Sequence, residues 1–112
     1  MSDPRREVIV QPAAIEDIRR QVAYLRHEAS EEVALRCFKR AYASCDDLAQ
    51  APGMGREISN RVLPDLRRWR VKDFEKILIF YRFDDSAVYV IRVLHGAMDL
   101  DSLLSNEWEL QG

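Results

Sequence analysis

The spacing of apolar residues changes in the middle of this chain, and that change fixes its class of fold. Up to about Gln50 apolar side chains recur at three- and four-residue steps; from Leu66 onward they recur at every second residue. The first spacing lines one face of a helix and the second lines one face of a strand. In AAIEDIRRQVAYLRHE, residues 13–28, Ile15, Ile18, Val22 and Leu25 share a face. Pro12 suits the entry to that helix, with Glu16 and Asp17 near its start and Arg26 and His27 near its end, as the helix dipole favours. Ser30 is a good N-cap for a second helix running to about Gln50. Its apolar face carries Ala34, Phe38, Ala41, Tyr42, Cys45, Leu48 and Ala49, and Pro52 and Gly53 stop it. Two helices joined by so short a link lie antiparallel as a hairpin.

The helices are preceded by a short strand in REVIVQP and followed, beyond the loop APGMGREISNRVLPD, by LRRWRV, KILIFYRF and AVYVIRVLH. In KILIFYRF, Ile77, Ile79, Tyr81 and Phe83 fall on one face and Leu78, Phe80 and Arg82 on the other. Asp84, Asp85 and Ser86 make a tight turn into the last strand. The last two strands are apolar on both faces, so the helical hairpin covers one face and the tail or a partner covers part of the other. DLDSLL reads as a short terminal helix with Asp99 as its N-cap. The predicted order is β-α-α-β-β-β plus that helix: an α+β fold, a helical hairpin packed on an antiparallel sheet.

A chain of 112 residues is one domain, with its core over about residues 7–104. No apolar run approaches the ~20 residues of a membrane span, and the start, MSDPRREVIVQP, carries no apolar stretch of signal-peptide length. The expected location is the cytoplasm, with no membrane partner. Cys37 and Cys45 stand eight apart on one helix, about 12 Å along its axis, too far for a disulfide. They read as small buried apolar residues, and no zinc site or other cofactor is expected.

The net charge of −2 is unevenly spread: residues 56–82 hold eight basic and four acidic side chains, a net +4, which leaves −6 for the rest. A basic middle can hold a polyanion or an acidic protein segment. Trp69, among Arg67, Arg68 and Arg70, alternates with positions 68 and 70 and so packs inward, leaving the arginines as an outward basic row. Gly53-Met54-Gly55 follows a helix rather than joining strand to helix, so it is not a phosphate cradle. In RVLHGAMDL, Gly96 allows a positive φ, Asp99 can cap a helix and His95 can hydrogen-bond the backbone. These residues either shape the strand-to-helix junction or touch a target; His95 and Asp99 alone do not make a metal site.

Three stretches, LAQAPGMGRE, LRRWRVKDFEKILIFYR and RVLHGAMDLDSLL, resemble the RelE/ParE superfamily of bacterial toxins, and more specifically its ParE-like branch. The resemblance spans about residues 7–104. It implies the toxin of a type II toxin–antitoxin pair, neutralised by a ParD-like antitoxin whose C-terminal segment wraps it. ParE-like toxins poison DNA gyrase by binding, which implies no catalytic residues and no sequence-specific contact with nucleic acid. RelE-like relatives cut mRNA on the ribosome. Under that alternative His95 would be the acid or base and Arg82 and Arg92 the phosphate-stabilising cations. Met98 stands where many ParE-like sequences have a basic residue, which keeps a third, non-toxic reading open. Target or antitoxin contacts are expected from Arg67, Arg68 and Arg70 and from the exposed parts of Tyr24, Phe38 and Tyr42, across a groove between hairpin and sheet.

Overall fold

The structure, a computed structural model, describes residues 6–59 and 63–96. Strand β1 (Glu7–Val10) leads into helix α1 (Pro12–Glu28) and helix α2 (Glu31–Gln50). A single 3-10 turn (Pro52–Met54) and a two-residue strand β2 (Arg56–Glu57) precede β3 (Arg67–Val71), β4 (Phe74–Phe83) and β5 (Ala87–His95). The Ser30 hydroxyl accepts the Val33 N–H at 3.1 Å, the cap that its position at the start of α2 predicts.

The five strands lie in the order β1-β5-β4-β3-β2. The expected layout of a hairpin over a three-strand antiparallel meander is observed. The sheet as a whole is mixed rather than antiparallel throughout, because β1 runs parallel to β5, pairing Glu7 with Ala87 through Val10 with Val90. A strand whose connection to its neighbour passes through two helices and three more strands is free of the hairpin constraint that forces antiparallel pairing. The added strand β2 pairs Arg56 with Arg68 and Glu57 with Arg67. It sits in a stretch that period-two reasoning leaves as loop, because two residues are too few to show a period.

The helices cover one sheet face. Ala14, Ile18 and Val22 of α1 and Ala34, Cys37, Ala41, Cys45 and Leu48 of α2 pack on Ile77, Ile79, Tyr81, Val88, Val90 and Val93. Cys37 and Cys45 are both free thiols, and burial, with help from Asp46, pushes Cys45 up to about 12, so it stays an inert protonated thiol. Phe38, assigned to this face by its spacing, is instead 46% exposed, and Cys37 takes the inward position.

The other face carries a smaller cluster of Phe80, Leu94, Leu63 and Leu66, with Ile58, Leu78 and Ile91 against it. Among the described residues its cover comes from the β2–β3 loop. The expected terminal helix, Asp99, Met98 and the tail lie outside the described residues.

The pairing of β4 with β5 breaks near mid-strand. Its register steps from Phe80 opposite Arg92 to Tyr81 opposite Val90, which makes Ile91 an extra residue on β5. Such a bulge breaks strict alternation: Val90 and Val93 share the helix-side core while Ile91 and Leu94 share the outer cluster.

Candidate functional site

The bulge decides the fate of Arg92. It reaches α1, where its Nε and one terminal nitrogen donate to the two carboxylate oxygens of Asp17 at 2.7 and 2.8 Å. Asp17 is 4% exposed and also accepts the Val93 N–H at 2.9 Å. One turn on, Gln21 donates from Nε2 to the Val93 carbonyl at 2.7 Å. Strand β1 stops opposite Val90, so these two side chains replace the missing strand beside Val93. Arg92 is therefore bound into the fold by a forked, charge-assisted pair. Asp17 is far more than the dipole partner that its place near the helix start suggests.

His95 closes β5 and is exposed. Among the described residues its ring makes no hydrogen bond; the junction is closed instead by Gly96, at φ +68°, whose N–H donates to the Lys76 carbonyl at 2.8 Å. His95 borders a cavity of about 590 Å³ whose wall is Tyr24 and Leu25 of α1 with Phe74 and Ile77 of β4. Arg20, Asp73, Glu75 and Lys76 rim it. Arg82 lies five residues along β4 from Ile77, the residue opposite His95, which is about 16 Å at ~3.3 Å per residue. The structure thus does not bring His95, Arg82 and Arg92 together. Among the described residues no three metal-ligating side chains gather either.

The basic row is split between the two faces of the sheet. Arg67 shares the helix-side parity of Trp69 and Val71. It donates to the Gly55 carbonyl at 2.6 Å and the Gly53 carbonyl at 3.3 Å, and its guanidinium lies over the Phe83 ring. Arg67 therefore does not join the outward row. Trp69 packs against the helix-side core as its alternation predicts. Arg68 and Arg70 remain on the outer side, and Arg56, brought in by β2, joins them. The three arginines line a second concavity of about 370 Å³ with Met54, Trp69, Glu75 and Leu78. Arg70 lies over the Trp69 ring at 4.9 Å.

The turn that carries β2 is held from beneath. The buried Tyr81 hydroxyl donates to the Pro52 carbonyl at 2.6 Å and accepts the Gly55 N–H at 2.9 Å. Burial raises the Tyr81 phenol above its ordinary range, against the lowering effects of the Gly55 N–H and Arg67. A Cβ on Gly55 would sit 2.4 Å from that hydroxyl and 2.8 Å from the Arg68 carbonyl, so the second glycine of APGMG is required by close approach.

The three aromatic candidates do not form one surface. Tyr24, 64% exposed, belongs to the cavity beside His95. Phe38 and Tyr42 pair on α2, ring centroids 5.1 Å apart, with exposed Leu35 one turn before them.

The family model described as "ParE toxin of type II toxin-antitoxin system, parDE" matches residues 8–100. The chain belongs to this family. Among solved structures it is similar to one titled "Chromosomal ParDE TA system from P. aeruginosa", with a TM-score of 0.70 at 13% identity, covering 85% of this chain and 100% of that one. At that identity the likeness speaks for the fold. No curated protein sequence matches.

This ParE-family chain owes its shape to residues that pattern reading passed over. Asp17, Gln21 and Tyr81 read as ordinary members of amphipathic elements, and only the contacts reveal them. Arg56 left one trace: it stands inside the basic segment, beside the glycine that Tyr81 holds.

Proposed function

We propose that this ParE-family toxin acts by binding DNA gyrase and is held inactive by a ParD-like antitoxin, in the cytoplasm and without a cofactor. The observation that carries this reading is the family match over residues 8–100. The geometry supports it in a second way. Arg92, a cation that RNA cleavage would need at the scissile phosphate, is bound to Asp17, and His95 stands apart from Arg82. Arg68 and Arg70 remain proposed contacts for target or antitoxin, as do Tyr24, Phe38 and Tyr42, on separate surfaces; Arg67 supports the loop beneath them. Among the described residues no helix is long and apolar enough to cross a membrane.

One observation favours a second reading, the ribosome-dependent endoribonuclease. His95 is exposed at a cavity rimmed by Glu75 and Lys76, a partial acid–base set. Induced expression without antitoxin separates the two. Growth arrest with filamentation and a DNA damage response, and no new mRNA 5′ ends, is expected. New 5′ ends at codon positions, lost in His95→Ala, would replace the gyrase reading. Unimpaired growth would leave a member that binds its antitoxin and poisons nothing.

A further inference from the structure

The sheet ends at β2, which is only two residues long, so most of β3 outlasts its edge partner. The Ile58 N–H donates to the Leu66 carbonyl at 3.0 Å. The Arg68 carbonyl faces the same side, toward Gly55. Strand alternation then aims the N–H and C=O of Arg70 at that edge as well. Among the described residues nothing meets them. An open pair of this kind is a template for a further strand.

The arginines around that gap have no ionic partner among the described residues; Arg70 has only the face of the Trp69 ring. Arg56 and Arg68 stand directly opposite each other across the β2–β3 pairing, and Arg70 follows on the same face as Arg68. Like charges directly opposite are destabilising in a sheet. No carboxylate neutralises the three among the described residues: Glu57 pairs with Arg67, and Glu75, which borders the concavity, accepts the Asp73 N–H at the β3–β4 turn. Met54, Leu78 and Trp69 supply apolar surface beside them.

We propose that this edge takes an extended acidic segment of a partner protein, added as a strand beside β3 in line with β2, with carboxylates set against Arg56, Arg68 and Arg70. A phosphate backbone could accept from the Arg70 N–H and the guanidinium groups, but it has no donor for the Arg70 carbonyl. A peptide strand supplies donor and acceptor together. Specificity comes from alternate acidic side chains on the face of Arg68 and Arg70, and the concavity admits one apolar side chain. The identification of this segment with part of the antitoxin rests on the toxin reading above; the edge chemistry does not.

The test uses the full chain and two capped peptides, Val-Glu-Val-Glu-Val-Glu-Val and its Lys-for-Glu counterpart, followed by amide shifts and hydrogen exchange. The acidic peptide is expected to shift residues 68–71 saturably and to slow exchange at the Arg70 N–H, with affinity falling as salt rises. Arg56→Gln with Arg68→Gln should weaken it about tenfold, in a chain whose unfolding temperature is not lowered. Equal binding of the Lys peptide, or shifts confined to other residues, would overturn the proposal. So would a DNA duplex that competes at residues 68–71 as strongly as the acidic peptide.

Residues 97–112 carry Asp99, Asp101, Glu107 and Glu109 and no basic side chain, so the chain's own tail is the competing occupant. If the Arg70 N–H is already slow in the free chain and is released when those four are changed to Asn or Gln, the edge is self-covered and the proposal fails. The peptide outcome does not depend on growth arrest, so failure here and failure of the toxin reading are separable.

Discussion

The two sides of this sheet meet the same problem and answer it differently. At each, the edge strand is shorter than the strand it borders: β1 stops opposite Val90 of β5, and β2 stops opposite Arg68 of β3. At β5, α1 supplies the missing partners. Asp17 accepts the Val93 N–H, Gln21 donates to the Val93 carbonyl, and Arg92 balances the buried carboxylate. At β3 no element of the described structure does this for Arg70, and among the described residues no carboxylate neutralises the cations beside it. An arginine whose charge is matched inside the fold belongs to stability. Arg56, Arg68 and Arg70, with no ionic partner among the described residues, are the side chains that the proposed strand would meet.

The largest effect should come from opening the closed side. Asp17→Ala removes the buried carboxylate that Arg92 and the Val93 N–H both donate to, and breaking a largely buried ion pair by deleting one partner costs roughly 3–5 kcal/mol. Chemical denaturation of the purified variant measures it. Asp17→Asn, which keeps an acceptor but not the charge, should lose less. A loss below about 1 kcal/mol in both variants, the range of an exposed ion pair, would mean that the two edges are not different in kind.

Next come the residues that place β2. Gly55→Ala forces a methyl against the Tyr81 hydroxyl and the Arg68 carbonyl, an overpacking of roughly 1–3 kcal/mol. Tyr81→Phe leaves the Pro52 carbonyl and the Gly55 N–H unmet, at about 1–3 kcal/mol. The two effects should be strongly non-additive, because removing the hydroxyl removes the atom closest to the new methyl. Strict additivity in a double-mutant cycle would show that the turn is not held by this contact.

The same contrast explains how much the sequence disclosed. The helical hairpin, the meander, the Ser30 cap and the inward Trp69 follow from local periodicity and capping chemistry, which act within a few residues. The resemblance carried by LAQAPGMGRE, LRRWRVKDFEKILIFYR and RVLHGAMDLDSLL led to the family that the match over residues 8–100 shows. The site was less legible. Arg92 could not be assigned a face because the bulge at Ile91 suspends the alternation on which such an assignment rests. Arg67 looked like a member of the outward row because its loop partners, Gly53 and Gly55, stand more than ten residues away. Asp17 looked like a dipole partner because its bonds cross 75 residues to β5. Each miss is a long-range polar contact, which periodicity does not encode.

The smallest stability effect is expected where the partner effect should be largest. Arg56→Gln with Arg68→Gln removes a like-charge pair set directly across two strands, so the free protein should hold its stability or gain up to about 1 kcal/mol. Thermal unfolding at low and high salt checks this, and the gain should shrink as salt screens the pair. A clear loss of stability would mean that these arginines, like Arg92, are already satisfied within the fold, and the distinction between a finished edge and an open one would not hold. A neutral or favourable change leaves a sheet that keeps two cations in mutual repulsion without structural return. In a chain with a net charge of −2 the repulsion is local and not a by-product of an overall basic surface. An acidic partner strand would relieve it and fill the Arg70 position in the same step.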